Sequence, residues 1–149
     1  MEKITSFKLN HNTHTAGFFL SSVNLDIFTY DLRFVTPNSG QYITPSVAHT
    51  IEHLFATVIR NSPIKQDVIY FGPMGCRTGF YLLLRNVAPE EAQKATIAAL
   101  KDSTLLKSIP GNKKIECGNY KSHNLPAAIA AITEYISVIE NFDTSSSIL

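Results

Sequence analysis

Two cysteines, Cys76 and Cys117, are all that 149 residues contain, too few for the disulfide framework that staples small secreted domains. In a reducing compartment such a pair serves instead as free thiols, metal ligands or catalytic groups. Charge is also scarce: Asp, Glu, Lys and Arg make up 17% of the chain and sum to +1. With no basic stripe interleaved with aromatic residues, no nucleic acid partner is expected. Long apolar stretches are missing as well. The longest is the six residues AAIAAI, where a membrane helix needs about 20. The opening MEKITSFKLN places charges where a signal peptide needs its apolar region. No membrane partner and a cytoplasmic location are the expectations.

What is present is a globular composition, 44% hydrophobic with nine phenylalanines and six tyrosines, enough to fill a core in a chain of this length. A single domain over 1–149 is expected, ending in a loosely held polar tail, DTSSSIL. In residues 25–35, LDIFTYDLRFV, Phe28, Tyr30, Leu32 and Phe34 alternate with Thr29, Asp31 and Arg33, the period of a strand half-buried on a core. Residues 67–71 and 78–85, rich in β-branched and aromatic side chains, read as two strands around the loop GPMGCR, which carries Cys76. Thr44-Pro45 reads as the cap and first residue of a helix running to about Asn61, and Pro89-Glu90-Glu91 opens a second. Asn124 caps a third, in which Ile129, Ile132, Ile136 and Ile139 recur at helical spacing. The pattern predicts an α+β fold, an antiparallel β-sheet with helices packed on one face.

The first of these helices contains HTIEHLFATVIRN, residues 49–61. On a helical wheel Val47, Ile51, Leu54 and Val58 form the core face, while His49 and His53 project from the opposite side with Glu52 at the edge. Imidazoles at i and i+4 converge over one turn and can bind one metal ion. The same five residues match the HxxEH pattern of the inverted zinc peptidases, in which the glutamate is a general base. Cys117, in IECGNY, completes a His/His/Cys set with a fourth position left open, the mark of a catalytic metal site. Cys76 lies between Gly75 and Gly79, with Arg77 beside it to favour its thiolate, which suits proton transfer or nucleophilic attack. His14 and His123 read as surface or loop histidines and Met74 as a space filler.

Two other readings use the same residues: an HxxEH metallopeptidase, and a non-catalytic metal-binding or redox-sensing module with Cys76 as the sensing thiol. A cysteine ligand and a second reactive cysteine sit poorly in a peptidase. A closed structural site needs four protein ligands, and only three candidates are evident.

HTIEHLFATVIR, GPMGCRTGFY, the ECG around Cys117, FKLNHN and DLRFVTPN together resemble the signature segments of the S-ribosylhomocysteine lyase (LuxS) family, in order and over most of the chain. The resemblance implies a homodimer with its active sites at the subunit interface. It also implies one divalent ion per subunit, Fe²⁺ natively and replaceable by Zn²⁺ or Co²⁺, with no organic cofactor. By position it makes His49, His53 and Cys117 the metal ligands and Cys76 and Glu52 the acid/base pair. Ser6, His11 and Arg33 match residues that line the substrate site. The implied reaction is carbonyl migration along the ribose of S-ribosylhomocysteine followed by β-elimination of the thioether. One segment departs from the pattern: Tyr70-Phe71-Gly72 stands where the family commonly has an acidic residue and a serine, which bears on how the amino-acid end of the substrate is held.

Overall fold

In the computed structural model, which describes residues 1–146, four antiparallel strands form one sheet. They are β1 (Gly17–Asn24), β2 (Ile27–Arg33), β3 (Val68–Pro73) and β4 (Gly79–Arg85), in the order β1-β2-β4-β3. The alternation in β2 works as read: Tyr30 and Leu32 are fully buried on the core side, where Phe34 just past the strand stacks on Tyr135. Asp31 and Arg33 share the other face. A strand half-buried on a core turns that face to solvent, yet both residues are buried, because residues 5–14 fold back across that side and set His14 against Asp31.

β1 is not evident from alternation, for a related reason. Its GFFL run has no alternation, since Phe18 faces the core against Tyr30 while Phe19 is covered on the opposite face by the rings of His14 and Phe142. A strand buried on both faces reads as a continuous apolar run.

After the short α1 (Thr5–Lys8), the helices α2 (Pro45–Ile59), α3 (Pro89–Ser103) and α4 (Leu125–Ile139) each carry proline at the first or second position, where its missing N–H costs nothing. Asn124 caps α4 as expected, its Oδ1 accepting the Ala127 N–H at 3.1 Å. Thr44 precedes α2 in extended backbone, but its side chain makes no capping bond. Ile51 and Leu54 are buried as the wheel predicts, while Val47 and Val58 lie at the margin and Ala48, Phe55 and Ile59 complete the face. The core stripe is thus turned slightly around the helix, because α2 packs against β3, α3 and α4 at once.

Between α3 and α4, residues 104–124 contain no helix or strand. Loops of that length in a packed protein tend to carry function, and this one lies across the polar side of α2. No helix among the described residues is long and apolar enough to cross a membrane. Of the tail, Thr144–Ser146 forms a turn of 3₁₀ helix, and residues 147–149 lie outside the described residues.

Candidate metal centre and active site

One turn of α2 places His49 and His53 side by side, ring centroids 4.6 Å apart. The 104–124 loop meets them and fixes both rings. His49 Nδ1 donates to the Ser122 carbonyl at 2.8 Å and His53 Nδ1 to the Pro110 carbonyl at 2.8 Å. A carbonyl only accepts, so each Nδ1 carries the proton and each Nε2 presents a lone pair. Those Nε2 atoms lie 3.4 and 3.9 Å from Cys117 Sγ. Gly111, at φ +69°, lies against the His53 ring, and its left-handed backbone lets the Pro110 carbonyl approach so closely.

His123 belongs to the same cluster, which corrects its reading as an unassigned loop histidine. Thr50, the residue after His49, gives its hydroxyl proton to the Ser46 carbonyl at 2.9 Å, so its oxygen accepts from His123 Nδ1 at 3.0 Å and from the Asn124 N–H at 2.9 Å. The proton of His123 is thereby held on Nδ1, and its Nε2 is buried without a protein partner. Burial, followed by the neighbouring His49 and His53, holds the His123 pKa below the usual histidine value. Sequence spacing gave no sign of this, because His123 reaches the site through stacking on His49, ring centroids 4.0 Å apart, and not through a helical repeat.

The donor atoms of His49, His53, Cys117 and His123 all lie within 4.8 Å of one another. Three imidazole lone pairs and a sulfur facing a common point, each ring oriented by a carbonyl or hydroxyl behind it, fit a divalent transition ion. The count of candidate donors is four where the sequence offered three.

Cys76 lies at the tip of the β3–β4 hairpin, in a turn closed by the Arg77 N–H to the Met74 carbonyl at 3.1 Å, with Arg77 in the left-handed region at φ +62°. Both cysteines are free. The cation that reaches Cys76 is Arg33, whose NH1 lies 3.9 Å from the sulfur. Arg77 instead lies over the Tyr42 ring, 5.6 Å from its centroid, which corrects its expected role beside the thiol. Thr78 Oγ1 is 3.1 Å from Cys76 Sγ. Gly79 also serves differently than expected: a side chain there would overlap the Leu32 carbonyl, so this glycine permits sheet packing and not ligand approach, while Gly75 faces open space.

Glu52 is half-buried and borders two depressions. One is shared with His49, Gly75 and Arg77, and so adjoins the Cys76 turn. The other, of about 500 Å³, is lined by His53, Arg60, Tyr70, Pro110, Gly111 and Glu116 among others. Tyr70 lies across Gly72, where any side chain would overlap its hydroxyl, so the glycine at 72 is what leaves room for this tyrosine. Ser6 and Arg33 line a separate pocket of about 310 Å³ together with Asp31 and Tyr81. His11 lies near it, Nδ1 donating to the Leu9 carbonyl at 3.0 Å. Within one chain, then, Cys76, Arg33 and Ser6 form one group and the histidine cluster another, with Glu52 facing both the cluster and the Cys76 turn.

The sequence profile of the family S-ribosylhomocysteinase (LuxS) matches residues 4–145. Among similar proteins, an S-ribosylhomocysteine lyase of Finegoldia magna is 41% identical over 147 residues, covering 95% of this chain and 94% of that protein. One of Borreliella burgdorferi (strain ZS7) is 37% identical over 148 residues with the same coverage. One of Clostridium acetobutylicum is 35% identical over 151 residues, again with 95% and 94% covered.

Proposed function

This chain belongs to the S-ribosylhomocysteinase (LuxS) family, and from that premise we infer that it is a carbon-sulfur lyase. It splits S-ribosylhomocysteine into homocysteine and 4,5-dihydroxy-2,3-pentanedione, the precursor of autoinducer-2. The observation that carries the reading is the family match over residues 4–145, joined to a donor cluster fit for a metal. Family membership decides against the metallopeptidase and the non-catalytic sensing module.

The atoms of the two products sum to those of the substrate, so neither water nor a redox partner enters the balance. The carbonyl must migrate from C1 to C3 before the thioether at C5 can leave, and each migration removes a proton beside a carbonyl. His49, His53 and Cys117, with the His123 Nε2 beside them as a further donor, are the residues that would hold the divalent ion. When bound, that ion supplies Lewis acidity to the sugar oxygens. Fe²⁺ is our choice for the native ion, with Zn²⁺ or Co²⁺ as substitutes, a series compatible with imidazole and thiolate donors.

Cys76 takes the C2 proton as a thiolate and returns it at C1, helped by the Thr78 hydroxyl and the Arg33 guanidinium at its sulfur. Glu52 moves the later protons at C3 and C4. Two bases on separate elements suit a sugar whose successive protons point in different directions. The amino-acid end of the substrate is assigned to the Tyr70 cleft, where Arg60 and Glu116 offer one charge of each sign to its carboxylate and ammonium. Ser6 and His11 are assigned to substrate contacts across a homodimer interface, a reading supported by the apolar Ile4 and Phe7 around Ser6, 59% and 69% exposed. The whole chain is read as one lyase domain working in the cytoplasm, in methyl-cycle recycling and quorum signalling.

The test is release of free thiol from S-ribosylhomocysteine, followed with a chromogenic disulfide reagent, by anaerobically purified, iron-loaded protein. Release is expected, and it should disappear in Cys76→Ala. Absence of release from fully loaded protein would overturn the activity.

A further inference from the structure

Cys76 stands at one end of a hydrogen-bonded chain whose other end, His14, has no part in the chemistry above. Arg33 NH1 donates to Thr78 Oγ1 at 2.9 Å. Because that oxygen accepts from Arg33, the Thr78 proton is free to point at the Cys76 sulfur, 3.1 Å away. The rest of the guanidinium makes a bidentate pair with Asp31, Nε to Oδ1 at 3.0 Å and NH2 to Oδ2 at 2.6 Å. His14 Nε2 meets the same Oδ2 at 3.3 Å. A carboxylate only accepts, so the imidazole is the donor.

His14, Asp31, Arg33 and Thr78 are 7%, 1%, 2% and 2% exposed, so solvent screens none of these interactions appreciably. Asp31 and Arg33 cancel each other's charge in place, and whatever weakens the hold of the carboxylate on the guanidinium leaves more positive potential for the sulfur. The Phe19 ring, with its centroid 4.6 Å from that of His14, keeps the imidazole against Asp31. His14 is a loop histidine, as its sequence context suggests, but it is buried against a carboxylate, and that burial calls for a purpose.

We propose that His14 is a positioning residue for Cys76: by donating to Asp31 Oδ2 it draws carboxylate charge away from Arg33, which leaves more of the guanidinium's positive potential for Thr78 and the Cys76 sulfur at NH1. The inference rests on the reading of Cys76 as an acid/base group. The other ionisable groups around this chain are His11 beside His14, Lys8 and Tyr81 in the pocket with Asp31 and Arg33, Tyr135 of α4 within electrostatic reach of Asp31, Arg77 next to Cys76, and Glu52 of α2 across the depression. All of them stay in place in the variants that test it.

The experiment is the pH dependence of iodoacetamide alkylation of Cys76 in the metal-loaded protein, read by mass spectrometry on the peptide that contains it. In His14→Leu the rate at pH 7 should fall about threefold and the profile should move up by about half a pH unit, the size expected when one nearby favourable electrostatic contact is removed. His14→Gln, whose amide N–H can still reach Asp31, should restore most of the rate. A His14→Leu profile that superimposes on the wild type overturns the proposal, as does a His14→Gln profile shifted as far as that of His14→Leu. Should circular dichroism show that the leucine variant does not fold, His14→Phe, which keeps a ring against Phe19 but no donor, takes its place with the same expectation. The assay uses no substrate, so failure of the lyase reading would leave its result intact and separately interpretable.

Discussion

Around α2, three histidines hold their Nδ1 protons against carbonyl or hydroxyl oxygens and turn their Nε2 lone pairs toward one another and toward Cys117. On the far side of β2, Arg33 and Asp31 are just as polar and more deeply buried, yet each donor there meets an acceptor and the charges cancel. The first cluster gathers electron pairs with no positive charge of its own among them. It is built to receive a cation. The second is complete without any ligand and serves to fix one arginine beside one thiol. The difference separates binding from positioning: removing metal should disturb the α2 cluster and leave the β2 network as it is.

Four changes sharpen that contrast, in descending size. Cys76→Ala should take turnover in the thiol-release assay below detection, a loss of at least the ~10²–10⁴-fold that a positioned acid/base group supplies, while metal content stays stoichiometric. Arg33→Met should cost about 3–5 kcal/mol in denaturant unfolding, since it leaves the Asp31 charge buried without its partner, and it should do so equally with and without metal. Thr50→Val removes the acceptor that orients His123, and should weaken metal binding in a competitive chelator titration by about 10–100-fold, the usual effect of an outer partner of a ligand. Acid has the mildest expected effect. The His123 pKa is lowered in the fold, so the unfolded chain takes up its proton first as pH falls through the ordinary histidine range. The resulting stability is present above that range and lost below it, and thermal melts of metal-free protein should fall between pH 7 and pH 5. His123→Phe, which keeps a ring on His49, should lose part of that dependence.

How legible each cluster was in the sequence follows from how it is assembled. His49 and His53 lie on one helix, where spacing alone sets their distance, so the pair was visible at once. The strand pattern of β2, the α4 cap at Asn124 and the antiparallel sheet were visible for the same reason, each being a local repeat or a local signal. His123 and His14 were not visible. Each depends on a segment without a period, the 104–124 loop and the N-terminal arm, folding onto a surface whose partner residues lie far along the chain. Arg77 is next to Cys76 in sequence, but adjacency says nothing about side-chain direction at the tip of a turn, and its guanidinium lies over Tyr42. The arginine that reaches the sulfur, 43 residues away from it, arrives there by strand pairing.

The account stands most directly on metal content and thiol release measured together, on the same preparations of wild type, Cys76→Ala and His53→Ala. It predicts that wild type has both, that Cys76→Ala keeps the metal and releases no thiol, and that His53→Ala loses both. Equal metal loading in the two variants, or thiol release from a metal-loaded Cys76→Ala, would contradict it.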